Sequence, residues 1–186
     1  MKLPRPSLAT TLVVLFPVLS ISVAAPSPSS AASIPEDVET STWRPFDLGS
    51  YSRPVSTRST EAQGAFDQGL VWSFAFNHEE AERAFAEAAR LDPALAMAHW
   101  GIALVNGPHI NNPAMSEGQS KKAWEALQKA RSLAAGASEV EKALIEALGA
   151  RYAWPPPTDR APLDAAFARA MLKVRERFPA DADVAT

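Results

Sequence analysis

The 186-residue chain contains no cysteine. That absence excludes disulfides, thiolate metal sites and cysteine nucleophiles, and it leaves the compartment open. Neither charge is in large surplus: 18 Lys and Arg face 21 Asp and Glu, a net charge of −3. With no basic stripe to neutralise phosphates, nucleic acid is a disfavoured partner. The first apolar stretch falls short of the roughly 20 residues a bilayer core demands, so no stable membrane span is expected. A glycine-rich phosphate loop, a nucleophile elbow and a paired HExxH are also missing. The sequence therefore offers no enzyme signature and names no cofactor.

What it does contain is 47% apolar residues in a length suited to one globular domain. Lys2 and Arg5, an apolar stretch from Leu12 to Ala24, and small residues at Ser22-Val23-Ala24 and Ser30-Ala31-Ala32 have the layout of a secretory signal peptide. Residues 1–25 are read as that signal, with candidate cleavages after Ala24 and after Ala32, and the mature protein as exported, periplasmic or secreted. Losing Lys2 and Arg5 takes the basic count from 18 to 16 against 21 acids, a mature charge of −5. Residues 26–60 carry Pro, Ser and Thr without a sustained period and read as a linker or N-terminal arm. Trp43, Phe46 and Tyr51 within it are expected to dock on the first helix pair.

From Glu61 onward, helical spacing takes over. Ala65, Phe66, Leu70, Val71, Phe74 and Ala75 share one period, and Asn77 offers a cap before a helix over 79–91. In HEEAERAFAEAARLDPALAMAHWG, Ala81, Phe85 and Ala88 fall on one face, and Asp92-Pro93 stops the helix before another begins. Small side chains on that face let a neighbouring helix approach closely. Ala123, Leu127 and Ala130 repeat the spacing in a helix over about 119–134. A fifth helix is expected after Ser138, with Glu141 placed for a capping box. A sixth runs from Pro162, where Phe167, Met171, Val174 and Pro179 repeat the spacing of Ala81, Phe85, Ala88 and Pro93. The result is an all-α class with three antiparallel helix pairs.

These residues resemble the tetratricopeptide repeats, whose 34-residue helix-turn-helix units stack into a right-handed solenoid. The first unit, Ala62 to Leu95, carries Gly69, Trp72, Ala81, Phe85, Ala88 and Pro93 at the family's positions, with Ala65 in place of its tryptophan and Gln68 in place of its leucine. The second keeps Ala123, Leu127 and Ala130, has about eight extra residues in its internal turn, and sets Trp100-Gly101 about two places early. The third unit is degenerate. FNHEEAERAF, LDPALAMAHWG and GPHIN together are similar to an exported bacterial subgroup of longer chains. The resemblance implies a repeat domain over 61–180 and a further unit cut short at 181–186, so that the chain reads as a fragment of an array.

Such pairs imply that their first helices line a concave surface, here presenting Phe66, Leu70, Phe74, Trp100 and Leu104 to a protein or peptide partner. The same aromatics would serve equally well as core between pairs. A rival reading uses His78 and His109, which fall at turns along one edge, with the GPHINNP loop as a metal- or cofactor-handling site. His99 lies too far along its helix to complete a three-histidine set. Glu79, Glu80, Glu82 and Glu87 are read as a solvated helix face.

Overall fold

In a computed structural model describing residues 46–185, seven α-helices follow one another, with no strand among the described residues. The segment expected to be a signal peptide, the linker up to residue 45 with Trp43, and residue 186 lie outside them. The helices are α1 (Thr60–Phe74), α2 (His78–Leu91), α3 (Ala96–Val105), α4 (Glu117–Leu133), α5 (Glu139–Gly149), α6 (Ala161–Arg177) and α7 (Ala182–Ala185). Each of the first six packs against the next in chain order, and α1 also touches α3 as α3 touches α5.

Helix starts follow local chemistry. Asn77 caps α2 by accepting from the Glu80 amide, while Ser116 and Ser138 open α4 and α5 with complete capping boxes, the second closed by Glu141. The break between α2 and α3 needs almost no loop because Asp92 serves several neighbours at once. Its Oδ1 accepts from the Ala94 amide at 3.0 Å, its backbone carbonyl accepts from the Leu95 amide at 3.0 Å, and its Oδ2 accepts from Thr57 Oγ1 at 2.6 Å. Pro93 supplies the stop.

The alanine face is the centre of the molecule. Ala81, Phe85 and Ala88 of α2, and Ala123, Leu127 and Ala130 of α4, are all fully buried. A methyl group carries little side-chain entropy and occupies little space, so backbones draw together there and apolar area leaves water on both helices. Phe85 is the one large residue on the α2 face. A Cβ built on Gly69 of α1 or on Gly101 of α3 would come within 2.5 Å of its ring, so two glycines make room for a single phenyl group.

Two expectations are corrected. Glu87 is buried rather than solvated: its carboxylate is gripped by Arg90 Nε and Nη2, both at 2.7 Å, which compensates much of the cost of removing it from water. In α6 only Val174 is buried, so Phe167 and Met171 are not counterparts of the buried Ala81 and Phe85. They are half-buried because they wall a cleft.

Ahead of α1 the described chain is irregular and pinned along that helix. Gln68 holds Phe46 at both its amide and its carbonyl, Asp67 accepts from the Arg53 amide at 3.0 Å, and Gln63 accepts from the Val55 amide at 3.0 Å. Phe46 meets Trp72 edge-on at 5.5 Å and Tyr51 meets Phe74 at 5.7 Å. These side-chain-to-backbone bonds replace the backbone partners that an irregular segment lacks.

Candidate functional site

Leu70 and Phe74 from the last turns of α1, Trp100 and Leu104 from α3, and Leu144 from α5 form one side of a cleft of about 170 Å³. Phe167 and Met171 of α6 form the other side, and Arg53, Asp183 and Val184 close an end. The volume is close to that of a cavity able to hold a benzene-sized group, and its walls are mostly hydrocarbon. Trp100 is fixed in its wall by Nε1 donating to the Leu144 carbonyl at 3.2 Å, so the indole presents a set face rather than a mobile one.

Of the five residues expected on the concave face, four line this cleft. Phe66 does not. It is fully buried and its ring lies 5.4 Å from that of Phe85, so it belongs to the core between α1 and α2. The reason is angular: at about 100° per residue, Leu70 and Phe74 drift around the helix from Phe66 toward the open side. Phe74 is accordingly 54% exposed.

Arg53 and the α6 residues carry weaker signals in the sequence. Phe167 and Met171 are visible there as a repeat of the core motif, which hides their position at a cleft. Arg53 sits in a segment without periodicity, yet it is 8% exposed and joins chain positions far apart. Its Nη1 donates to Asp181 Oδ1 and to Asp183 Oδ2 at 2.7 Å each, and its Nη2 donates to Asp181 Oδ2 at 2.8 Å. The guanidinium holds the Asp181 carboxyl below the ordinary carboxylate range. Through this fork the arm carries α7, and with it Val184, to the cleft.

His78 and His109 do meet, with ring centroids 4.1 Å apart in an edge-to-face arrangement, and Phe76 lies 6.3 and 6.4 Å from them. Phe76 adopts φ 58°, a left-handed conformation that a bulky residue takes at a cost. Two imidazoles sharing one metal through bonds of about 2.0–2.1 Å hold their centres roughly 5 Å apart at a tetrahedral angle. The observed pair is tighter than that. Among the described residues no group of three His, Cys, Asp or Glu is placed to hold a metal ion. As it stands, the cluster is a packed aromatic contact.

The histidines make stability depend on pH. Burial, and secondarily the neighbouring His109, pushes His78 below its usual 6.5, and burial, then Lys129, does the same to His99. Between 6.5 and those lowered values the unfolded chain binds more protons than the folded one, so stability is full above about 6.5 and falls as the pH drops through it. Urea midpoints at pH 7.5 and 5.5 are expected to show this loss, and His78→Gln with His99→Gln is expected to shrink it. A midpoint that is flat over the interval would contradict the burial of these rings. The Asp181 contribution, from a lowered carboxyl, is lost only below about pH 4, which keeps the two effects apart.

No protein-family model, curated protein or solved structure matches the chain.

Proposed function

We propose that the chain is an exported helical-repeat protein of tetratricopeptide type, not an enzyme, whose cleft holds an apolar side chain of a protein or peptide partner. The observation that carries the reading is the cleft itself: a hydrocarbon-walled space of about 170 Å³ among Leu70, Phe74, Trp100 and Leu104, open to solvent beside an exposed Phe74. A groove of this size accepts one leucine or phenylalanine side chain, and an anchor of that kind supplies most of the affinity of a peptide contact.

The repeat assignment is supported by the packing of α1 to α4 on one another in chain order and by the fully buried small-residue faces of α2 and α4. Export is supported by the order of basic, apolar and small residues in positions 1–25. N-terminal sequencing of the protein recovered from outside the cytoplasm would test it, with a start after residue 24, 25 or 32 expected.

The binding reading has a direct test. Phage-displayed random 12-residue peptides are selected on the full chain, and enriched peptides are measured by fluorescence polarisation against wild type and Leu104→Glu. Leu104 is only partly buried, so the variant is expected to fold while placing a charge in the cleft. Enriched peptides should share one large apolar residue and bind the variant at least tenfold more weakly, the cost of a desolvated carboxylate against hydrocarbon. Equal binding to both proteins, or no enrichment at all, would remove the cleft from the function.

A further inference from the structure

Beside the apolar cleft lies a second, more open one of about 270 Å³, and Phe167 is a wall of both. Its other walls include His109, Ile110, Asp164 and Arg151. Arg151 is the unusual member. Its Cζ rests over the Phe167 ring, 4.7 Å from the centroid, and its Nη2 donates to the Pro108 carbonyl at 2.6 Å. Its Nε is buried and has no partner, and among the described residues no carboxylate forms an ion pair with it. The nearby Asp164 pairs with Arg160 at 3.4 Å, so one carboxylate faces two guanidiniums and the surroundings keep a positive charge. Burial disfavours the charged form of Arg151, and Tyr152 and Asp164 offset this only in part.

A guanidinium that lacks a paired carboxylate, and whose Nη1 has no hydrogen-bond partner among the described residues, is a site for an anion, and a carboxylate suits it. The position of the site defines the ligand further. The Phe167 ring is a wall of both clefts and carries Arg151 over it at 4.7 Å, so a ligand group on Arg151 and one in the apolar cleft are neighbours across a single ring. Past Arg151 the surface continues to Ile110, 85% exposed, so a bound chain runs on over the loop rather than ending at the arginine.

We infer that the peptide held in the apolar cleft carries an aspartate or glutamate within a few residues of its apolar anchor, with that side-chain carboxylate seated on Arg151. The inference rests on the cleft reading above and narrows it from any apolar peptide to an apolar-acidic one. Arg151 then sets specificity and Leu104 sets affinity. A ligand with acid but no anchor, or anchor but no acid, loses one of two adjoining contacts.

The test is the same peptide selection, read at a second position and repeated on Arg151→Gln and Arg151→Lys. Wild type is expected to enrich Asp or Glu at a fixed place within a few residues of the apolar one. Arg151→Gln should keep the apolar preference, lose the acidic one, and bind the wild-type peptides about tenfold more weakly, the effect of one charge-assisted bond. Arg151→Lys keeps a charge and should retain the acidic preference in part; its thermal melt also checks that the site tolerates substitution. Apolar enrichment without an acidic position, or an acidic preference that survives in Arg151→Gln, overturns the inference and leaves the cleft reading intact. No enrichment of any kind overturns both.

Discussion

Replacing Phe85 by alanine should cost about 3–5 kcal/mol, and the cost should reverse the sign of a second substitution elsewhere. The ring is fully buried, and Gly69 and Gly101 approach its Cδ1 and Cε1 from α1 and α3. Alone, Gly69→Ala would normally gain up to about 1 kcal/mol, because alanine loses less backbone entropy than glycine in a helix. Here the added methyl would stand 2.5 Å from the ring, and Gly101 prevents the ring from retreating. Overpacking of that kind costs about 1–3 kcal/mol, so the single variant is expected to be destabilised. With Phe85→Ala in the background the space is empty and Gly69→Ala should stabilise. Urea denaturation of the four proteins closes a double-mutant cycle, in which a coupling energy near zero would show that the glycines are not there for Phe85.

That coupling explains which parts of the structure were legible in the sequence. The alanine faces of α2 and α4 were readable because a small residue every three or four positions has one common physical use: bringing helices close. Caps were readable for a similar reason at Asn77 and Ser138, which act on amides three residues away; Ser116, which opens α4 ahead of the expected start at about 119, was not picked out. The Trp100-Gly101 pair looked displaced by its spacing, yet Gly101 sits where Phe85 requires it. Spacing within one helix does not report where the next helix's large residue will fall.

The candidate site divides along the same line. Leu70, Phe74, Trp100 and Leu104 were foreseeable because their helices carry a periodic apolar face. Phe66 lies on the same stripe and is buried, a difference of angle that a stripe does not resolve. Arg53, Arg151 and Asp183 could not be found this way. Their roles come from contacts across long sequence separations, such as the Arg53 fork to Asp181 and Asp183, and charge contributes nothing to helical periodicity that distinguishes a clamp from a solvated face.

One long-range contact anchors the arm, and its loss is the other large effect expected. Glu141 is 1% exposed, and it is more than the last residue of a capping box. Its Oε1 accepts from the Ser56 amide at 2.7 Å, and its Oε2 accepts from the Ser138 amide at 2.6 Å and from the Ser56 hydroxyl. An arm residue thus shares the carboxylate that starts α5. Glu141→Ala would take from the Ser56 amide its acceptor and from the Ser138 amide one of its two, the other being Ser56 Oγ at 3.1 Å, in a partly buried place, so a total of about 2–3 kcal/mol is expected. Glu141→Gln keeps the shape but turns an amide group toward donors, and should cost less, about 1–2 kcal/mol. Ser138→Ala, which removes only the cap, should cost about 1 kcal/mol. Hydrogen exchange separates this account from simple loss of a helix cap. In Glu141→Ala the amides of Arg53, Val55, Ser56 and Thr57 should lose protection along with those of the first turn of α5, whereas Ser138→Ala should affect α5 alone. Because Arg53 carries the aspartates of the α6–α7 end to the cleft, the same variant should also weaken peptide binding. An arm that stays protected without Glu141 would mean that its bonds to Gln63, Asp67 and Gln68 hold it unaided.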